Sequence, residues 1–149
     1  MKIVLQRVVS SCVRVDGVIT GEIGRGYLIL LGVAAGDSRE SANRILEKVQ
    51  KLRLFPDADG KTNLSIADVD GELLVVSQFT LYADCRKGTR PGFTGAAPPA
   101  LAEELYNYFI EYARCMPEKF KKVAAGQFGA NMQVELVNDG PFTIILEDI

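Results

Sequence analysis

The alternation of apolar and polar positions predicts a protein built mainly from β-strands. Residues 2–9 are expected to form the first strand. The apolar segments 12–15 and 18–23 flank Asp16-Gly17. This dipeptide favours a tight turn with positive φ, so the two segments are expected to form a hairpin. Residues 27–33 are apolar on both faces, which is typical of a strand buried in the centre of a sheet.

Four further apolar segments are predicted to be strands, namely residues 73–76, 123–124, 132–137 and 142–146. Apolar residues at helical spacing predict a helix over residues 38–52. Asp37 and Ser38 are the candidate N-caps of this helix, with Glu40 three residues after Asp37 as a capping-box partner. A second helix is expected to begin at Pro98-Pro99. The apolar stripe expected on it consists of Leu101, Leu105, Tyr108, Phe109 and Tyr112.

Many strands with only two long helices predict an α/β fold with a β-rich core built on a mixed sheet. The strands are expected to form two packed sheets or a distorted barrel, with both helices covering one face. A chain of 149 residues is long enough for a real hydrophobic core. Because it contains no internal repeat and no linker-like segment, residues 1–149 are expected to form a single domain.

The composition excludes several kinds of chemistry. The chain has no histidine, so neither a Ser-His-Asp triad nor a histidine-bound zinc is possible. Three widely spaced cysteines form no metal-binding or disulfide pattern, so no metal or cofactor is predicted. The net charge of −2 means that any contact with RNA needs a local basic patch. With no signal peptide and no apolar run long enough to cross a bilayer, the protein is expected in the cytoplasm.

Two polar segments stand next to predicted strands, where binding sites are commonly built. One is Ser77-Gln78-Phe79-Thr80-Leu81, and the other is Asn138-Asp139-Gly140-Pro141-Phe142-Thr143. A third candidate is the glycine-rich segment of residues 84–97, which has no periodicity and is long for a loop within a compact domain.

In these two polar segments the chain resembles the D-aminoacyl-tRNA deacylase family. The resemblance extends in the same order over nearly the whole chain, at Ile3-Val4-Leu5-Gln6-Arg7-Val8, Leu52-Arg53-Leu54-Phe55, Asn63-Leu64-Ser65, Arg90-Pro91-Gly92-Phe93 and Gly126-Gln127-Phe128-Gly129-Ala130-Asn131-Met132. One departure is Phe142, where a smaller valine is expected.

The resemblance implies an enzyme that hydrolyses the ester of D-aminoacyl-tRNA, and of glycine misattached to tRNA(Ala), while sparing L-aminoacyl-tRNA. It also implies a cytoplasmic homodimer without an organic cofactor. The Gly140-Pro141 peptide bond is then expected to be cis and to insert into the partner subunit's pocket. The resemblance further implies catalysis by backbone groups and the 2′-hydroxyl of the RNA, which is compatible with a chain that lacks histidine.

An aminoacyl ester is already activated, so a catalyst has only to orient water and stabilise an oxyanion. The backbone N–H groups of Gln78, Phe79 and Thr80 are the candidate catalytic donors. No imidazole can activate the Thr80 hydroxyl, so a positioning role is favoured over a nucleophilic one. The carbonyl groups of Gly140 and Pro141 are expected to bind the substrate ammonium, so that an L side chain would collide with the backbone.

Further substrate contacts are implied by the resemblance. Arg7 is expected to hold the Gly140-Pro141 turn in orientation. Phe128, together with Ser77 and Gln78, is expected to receive the terminal adenine, since RNA ends are commonly bound by stacking and base-edge hydrogen bonds. Met132 is a further candidate substrate-binding residue. The candidate phosphate contacts are Arg86, Lys87 and Arg90. Two alternatives remain open: a non-catalytic RNA-binding homodimer, and a homodimer that binds a small molecule or is purely structural.

Overall fold

The computed structural model describes residues 1–147. The strands are β1 (Lys2–Val15), β2 (Val18–Ile23), β3 (Gly26–Gly32), β4 (Arg53–Pro56), β5 (Thr62–Ser65), β6 (Glu72–Ser77), β7 (Val123–Ala125) and β8 (Gln133–Glu147). The α-helices are α1 (Arg39–Lys51) and α2 (Pro99–Arg114), and short 3-10 helices span Ala67–Val69 and Phe79–Tyr82.

One mixed sheet organises the molecule around the long strand β1. Its order is β2-β1-β3-β6-β7, and β8 also pairs with β1. The first part of β1 is antiparallel to β3, its later part is antiparallel to β2, and β8 runs antiparallel along nearly its whole length. The pairs β3–β6 and β6–β7 are parallel. Parallel neighbours end at the same edge of the sheet, and the candidate site lies at this edge.

The sheet curls into a nearly closed barrel because β2 approaches β7. A Cβ atom on Gly21 would lie only 2.6 Å from the carbonyl oxygen of Ala125, so the backbones can come this close only with glycine at this position. Together with the two helices, this architecture confirms the predicted mixed-sheet core in its distorted-barrel form.

Strand β3 is buried on both faces, as the sequence predicts. Tyr27 and Ile29 belong to the core cluster that includes the apolar faces of α1 and α2. Leu28 belongs to the second cluster, with Val8 and Leu74. Burying a side chain of this size contributes about 1.5–3 kcal/mol each, so this two-sided burial is a major source of stability.

The strand boundaries differ from the prediction in three places. Residues 2–15 form one strand instead of two, because Ser11 stays in the ladder and donates its hydroxyl to the Glu135 carbonyl at 2.7 Å. Residues 133–147 likewise form one strand, interrupted by a bulge. The hairpin of β4 and β5 was not predicted, since neither four-residue strand has a clear alternation.

The helices also depart from the prediction in detail. The N-cap of α1 is Ser38, and its capping-box partner is Ser41, whose hydroxyl accepts the Ser38 N–H. The predicted box of Asp37 and Glu40 is wrong, because the Asp37 carboxylate instead binds the N-terminal ammonium and the Ala34 N–H. On α2 the buried face is rotated relative to the predicted stripe and consists of Ala102, Leu105, Tyr106, Phe109, Ile110 and Ala113.

Candidate active site

A pocket of about 620 Å³ opens where β6 ends. One wall is Ser77, Gln78 and Phe79, at the end of β6 and the start of the following 3-10 helix. The opposite wall is residues 128–132, which follow β7. Because β6 and β7 are parallel, their C-terminal ends bring these two segments together, which is where ligands bind in many sheets with parallel strands. Pro99 and Ala102, in the first turn of α2, complete the apolar lining.

Tyr106 joins the two strands whose ends form the pocket. Its hydroxyl lies 3.0 Å from the carbonyl oxygen of Val75 in β6 and 2.9 Å from that of Gly126, just after β7. Its ring packs against Phe128, with the ring centroids 5.8 Å apart. Burial raises the pKa of the phenol well above its usual range, so Tyr106 stays neutral and acts as a structural tie.

The backbone donors at the end of β6 are not equivalent. The Gln78 N–H donates to the Leu31 carbonyl at 2.8 Å, so it is engaged in the sheet. The prediction that this amide faces a substrate is therefore wrong. Within residues 1–147, no acceptor pairs with the N–H groups of Phe79 and Thr80, which begin the 3-10 helix. These two amides are the donors available for a ligand.

Thr80 lies at the exposed rim of the site. Its hydroxyl oxygen is 2.5 Å from the side-chain nitrogen of Gln78, which donates to it. The hydroxyl proton is thus left to point toward a water or substrate oxygen. Lys2 reaches the same 3-10 helix at the Leu81 carbonyl, but its ammonium is held by Glu147 at 2.8 Å. This arrangement favours hydrogen bonding by Thr80 over nucleophilic attack.

The Gly140-Pro141 segment bulges out of β8 and contains a cis peptide bond, as predicted. The pairing with β1 steps from Asn138 opposite Val8 to Thr143 opposite Gln6, so the intervening residues lie outside the regular register. Both Gly140 and Pro141 are exposed. They do not line the pocket of the same chain.

Arg7 lies beneath this bulge and is only 8% exposed. Its Nε donates to the Asp139 carbonyl at 3.0 Å and lies 3.2 Å from the Asp139 carboxylate. Its Nη1 donates to the Leu54 carbonyl at 2.5 Å, and the guanidinium lies over the Phe142 ring. The contact between Arg7 and the turn, which the resemblance implied, is therefore present.

The candidate phosphate-binding residues line a separate depression on the glycine-rich loop. Arg86 forms a bidentate ion pair with Asp84, at 2.8 and 2.7 Å. These hydrogen bonds lower the pKa of the Asp84 carboxyl and raise the pKa of Arg86. Lys87 and Arg90 are exposed, and no ion pair to another described residue engages either side chain.

One pocket thus contains five of the predicted site residues, namely Ser77, Gln78, Phe79, Phe128 and Met132. Thr80 is joined to it through Gln78. Arg7, Gly140 and Pro141 form a second group at the β8 bulge, and the three cations form a third. Phe93 and Tyr106 were not predicted to belong to the site. For Phe93 the available signal was its place in the segment Arg90-Pro91-Gly92-Phe93, which carries part of the family resemblance. Tyr106 gave no such signal, because it is one of several apolar residues in a predicted helix.

Among the described residues, no group of three or more His, Cys, Asp or Glu side chains is placed to hold a metal ion. No described helix is long and apolar enough to span a membrane. The polar and aromatic groups at the site are backbone amides, the hydroxyls of Ser77 and Thr80, the carboxamides of Gln78 and Asn131, and the aromatic rings.

Comparison with known proteins identifies the family of the chain. The model of the family described as D-Tyr-tRNA(Tyr) deacylase matches residues 4–147. A D-aminoacyl-tRNA deacylase of Anaeromyxobacter dehalogenans (strain 2CP-C) is 54% identical over 147 residues, covering 99% of this chain and 97% of the relative. One of Thermosipho africanus (strain TCF52B) is 49% identical with the same coverage.

Two solved structures have the same fold. A structure described as c-Myc DNA unwinding element binding protein is 42% identical, with a TM-score of 0.91 over 100% of this chain and 99% of that chain. A probable eukaryotic D-amino acid tRNA deacylase is 16% identical, with a TM-score of 0.86 over 97% of both chains.

The chain belongs to the D-Tyr-tRNA(Tyr) deacylase family. The family predicted from the sequence is confirmed, and so are the fold class and the class of enzyme, a hydrolase that acts on aminoacyl-tRNA esters. The substrate of such an enzyme is a charged tRNA.

Proposed function

We propose that this chain, acting as one domain over residues 1–149, hydrolyses the ester bond of D-aminoacyl-tRNA and releases free D-amino acid and tRNA. The observation that supports this most directly is the position of the pocket. An apolar cavity large enough for a nucleoside adjoins two backbone N–H groups with no acceptor among the described residues. Membership of the deacylase family supplies the class of reaction.

The amides of Phe79 and Thr80 stabilise the oxyanion that forms when water attacks the ester carbonyl. Each such donor contributes about 2.7–4 kcal/mol to lowering the barrier. The Thr80 hydroxyl accepts a hydrogen bond from Gln78 and positions water or the ester with its own proton. The 2′-hydroxyl of the terminal ribose assists, so neither a protein nucleophile nor a cofactor is needed.

The terminal adenosine binds in the pocket, with its base against Phe128 and Met132. Ser77 and Gln78 are half-buried on the facing wall, where they supply hydrogen bonds to the nucleoside. A flat apolar base with polar edges suits a cavity that combines aromatic and apolar side chains with a few polar groups. This orientation brings the ester at the 3′ end toward the amides of Phe79 and Thr80.

Discrimination against L-amino acids depends on the Gly140-Pro141 turn. Its two carbonyl groups accept hydrogen bonds from the substrate ammonium, so that a D side chain points outward and an L side chain meets backbone. The support for this role is the fixed position of the turn, which Arg7 holds at Asp139 and which Asn138 closes by accepting the Phe142 N–H at 2.7 Å. Glycine has no side chain to reject, so glycyl-tRNA(Ala) is a second substrate.

The turn acts across a homodimer, in which each Gly140-Pro141 inserts into the partner subunit's pocket. Exposed apolar residues near it support an interface, since Val9 is 55%, Val137 is 55% and Ile145 is 64% exposed. Such a site is composite, so an isolated subunit would be inactive. The site of action is the cytoplasm, where charged tRNA is used.

The deciding experiment incubates the protein with D-Tyr-tRNA and with L-Tyr-tRNA, and measures both ester loss and tRNA binding. We expect hydrolysis of the D ester only, and the same rate in EDTA. Equal rates on both esters would refute the chiral mechanism. Binding of tRNA without turnover of either ester would favour the non-catalytic RNA-binding homodimer.

The proposed phosphate contacts are tested by the salt dependence of tRNA binding. The logarithm of the tRNA-binding constant falls with the logarithm of the salt concentration, and the slope is steeper the more phosphates the protein neutralises. Contacts from only a few cations therefore give a shallow slope. Replacing Arg86, Lys87 and Arg90 together with glutamine should flatten it. The matched control replaces Lys119, Lys121 and Lys122, and a slope that flattens only in this control would place the phosphates there instead.

A further inference from the structure

Two large aromatic side chains remain exposed at the mouth of the pocket. Phe79 is 56% exposed and Phe93 is 38% exposed, although both also line the cavity. Their ring centroids are 5.0 Å apart with an interplanar angle of 64°, an edge-to-face pair. Exposed apolar surface of this kind next to a pocket marks a binding surface. The adenosine contacts proposed above do not use either ring.

Both rings are held by fixed backbone. Phe79 begins the 3-10 helix directly after β6. The loop before Phe93 is tied by two hydrogen bonds between the backbones of Asp84 and Gly92, at 2.7 and 2.9 Å. After Phe93, the Ala97 N–H donates to the Val33 carbonyl at 2.9 Å. Anchoring on both sides reduces the entropy lost when a ligand stacks on the pair.

Positive charge continues beyond the rings. Gly92 and Thr94, the two neighbours of Phe93, line the depression that also contains Lys87 and Arg90. No ion pair with a described residue neutralises these two cations. The surface therefore changes in order from an apolar pocket through the aromatic pair to the exposed cations of the glycine-rich loop.

We infer that the Phe79–Phe93 pair is a stacking platform for the base of the penultimate nucleotide of the tRNA, whose phosphate faces Lys87 and Arg90. The inference rests on the proposed function, which places the terminal adenosine in the pocket. Aromatic platforms beside cationic grooves bind single-stranded nucleic acid because every base has a π-face. The charge at Lys87 and Arg90 favours a nucleic acid over an apolar protein segment as the occupant.

The test measures kcat/KM for D-tyrosine esterified to adenosine, to the dinucleotide CpA, and to a dinucleotide analogue with an abasic penultimate position. With the wild-type enzyme, kcat/KM for the CpA ester should be about tenfold higher than kcat/KM for the abasic analogue, when each is expressed relative to the adenosine ester. Phe93→Leu keeps an apolar side chain but removes the π-face, so it should abolish most of this difference. Phe93→Tyr keeps the ring and should retain it.

A double-mutant cycle isolates the contact between the penultimate base and the Phe93 ring. If the two stack, the effects on kcat/KM of removing the base and of removing the ring should be non-additive. Equal kcat/KM for the CpA and abasic esters in the wild-type enzyme would overturn the inference. So would a Phe93→Leu variant that lowers kcat/KM on all three esters by the same factor, since that result indicates a role in pocket structure only. Failure of the proposed function is distinguishable, because the wild-type enzyme would then not hydrolyse D-Tyr-tRNA at all.

Discussion

Replacing Tyr106 with phenylalanine should weaken substrate binding from a position that no substrate touches. The hydroxyl is shared between the carbonyl oxygens of Val75 and Gly126. Val75 also accepts the Gly126 N–H at 2.9 Å, so it keeps one partner in the variant. Gly126 loses a donor at the point where the chain leaves β7 toward Phe128. The perturbation is therefore local to the adenosine wall of the pocket.

The size of the effect follows from these contacts. One neutral hydrogen bond contributes about 1 kcal/mol, and an acceptor left partly buried without a donor raises the cost toward about 2 kcal/mol. For a domain of this size, each 1 kcal/mol lowers Tm by about 2–4 °C. The ring remains, so its contact with Phe128 persists, and the kinetic effect should be a KM for D-Tyr-tRNA raised by about threefold to tenfold with little change in kcat.

Tyr108 on the same helix provides the matched control. Its hydroxyl donates to the Asn43 side chain at 2.9 Å and its ring stacks on Tyr112, and it does not line the pocket. Tyr108→Phe should lower the free energy of unfolding by about 0.5–1 kcal/mol and leave KM unchanged. Urea denaturation and steady-state kinetics measure both quantities. An equal KM change in the two variants, or no loss of stability in Tyr106→Phe, would refute the reasoning.

Three further outcomes are expected. Gly140→Ala should lower the free energy of unfolding by about 1–3 kcal/mol and remove most D-ester hydrolysis, because φ of Gly140 is +141° and the added Cβ would lie 2.9 Å from the Phe142 nitrogen. A wild-type kcat/KM in this variant would contradict the proposed role of the turn. Thr80→Ala should keep kcat within about tenfold, whereas loss of a nucleophile costs several orders of magnitude; rapid-quench trapping of an acyl-Thr80 ester would contradict this expectation. Burial raises the pKa of Tyr27 and Tyr106 above the usual value of 10.0, so the folded state holds these protons more tightly than the unfolded state. This stabilisation is fully present below pH 10 and is lost as the pH rises above it, as urea denaturation at a series of alkaline pH values should show. The Tyr27 hydroxyl has no hydrogen-bond partner within residues 1–147, so Tyr27→Phe should make the free energy of unfolding fall less steeply above pH 10 and should not destabilise the protein at pH 7. An equally steep fall in the variant would contradict this explanation.

The parts of the fold that depend on local pattern were predictable from the sequence. Strand β3 is apolar at every position from Tyr27 to Leu31, and only a strand buried on both faces accommodates that pattern. The continuity of β1 was not predictable, because Ser10 and Ser11 resemble a loop. The Ser11 hydroxyl finds its acceptor on β8, more than 120 residues away in the chain. Long-range pairing of this kind has no local signal.

The rotation of α2 has a similar explanation. Neighbouring helical positions differ by about 100°, so an aromatic-rich helix allows more than one apolar face. The sequence favoured a face with Tyr108 and Tyr112, which stack on each other at the half-buried edge. Tyr106 became the buried residue because β6 and β7 offer it two carbonyl oxygens, a feature of tertiary structure only.

Backbone chemistry sets the firmest limit on prediction from sequence. Gln78 and Phe79 line the pocket and Thr80 adjoins it, yet the backbone amides of these three predicted catalytic residues do not have equal roles. The Gln78 N–H is engaged by Leu31 because β3 is the parallel neighbour of β6, whereas the next two amides lie beyond the last rung of that ladder. Which donor faces a substrate is thus decided by where strand pairing stops. A side-chain substitution at Gln78 therefore tests its hydrogen bond to Thr80, while the donors proposed for catalysis are insensitive to side-chain identity and respond only to changes in the backbone itself.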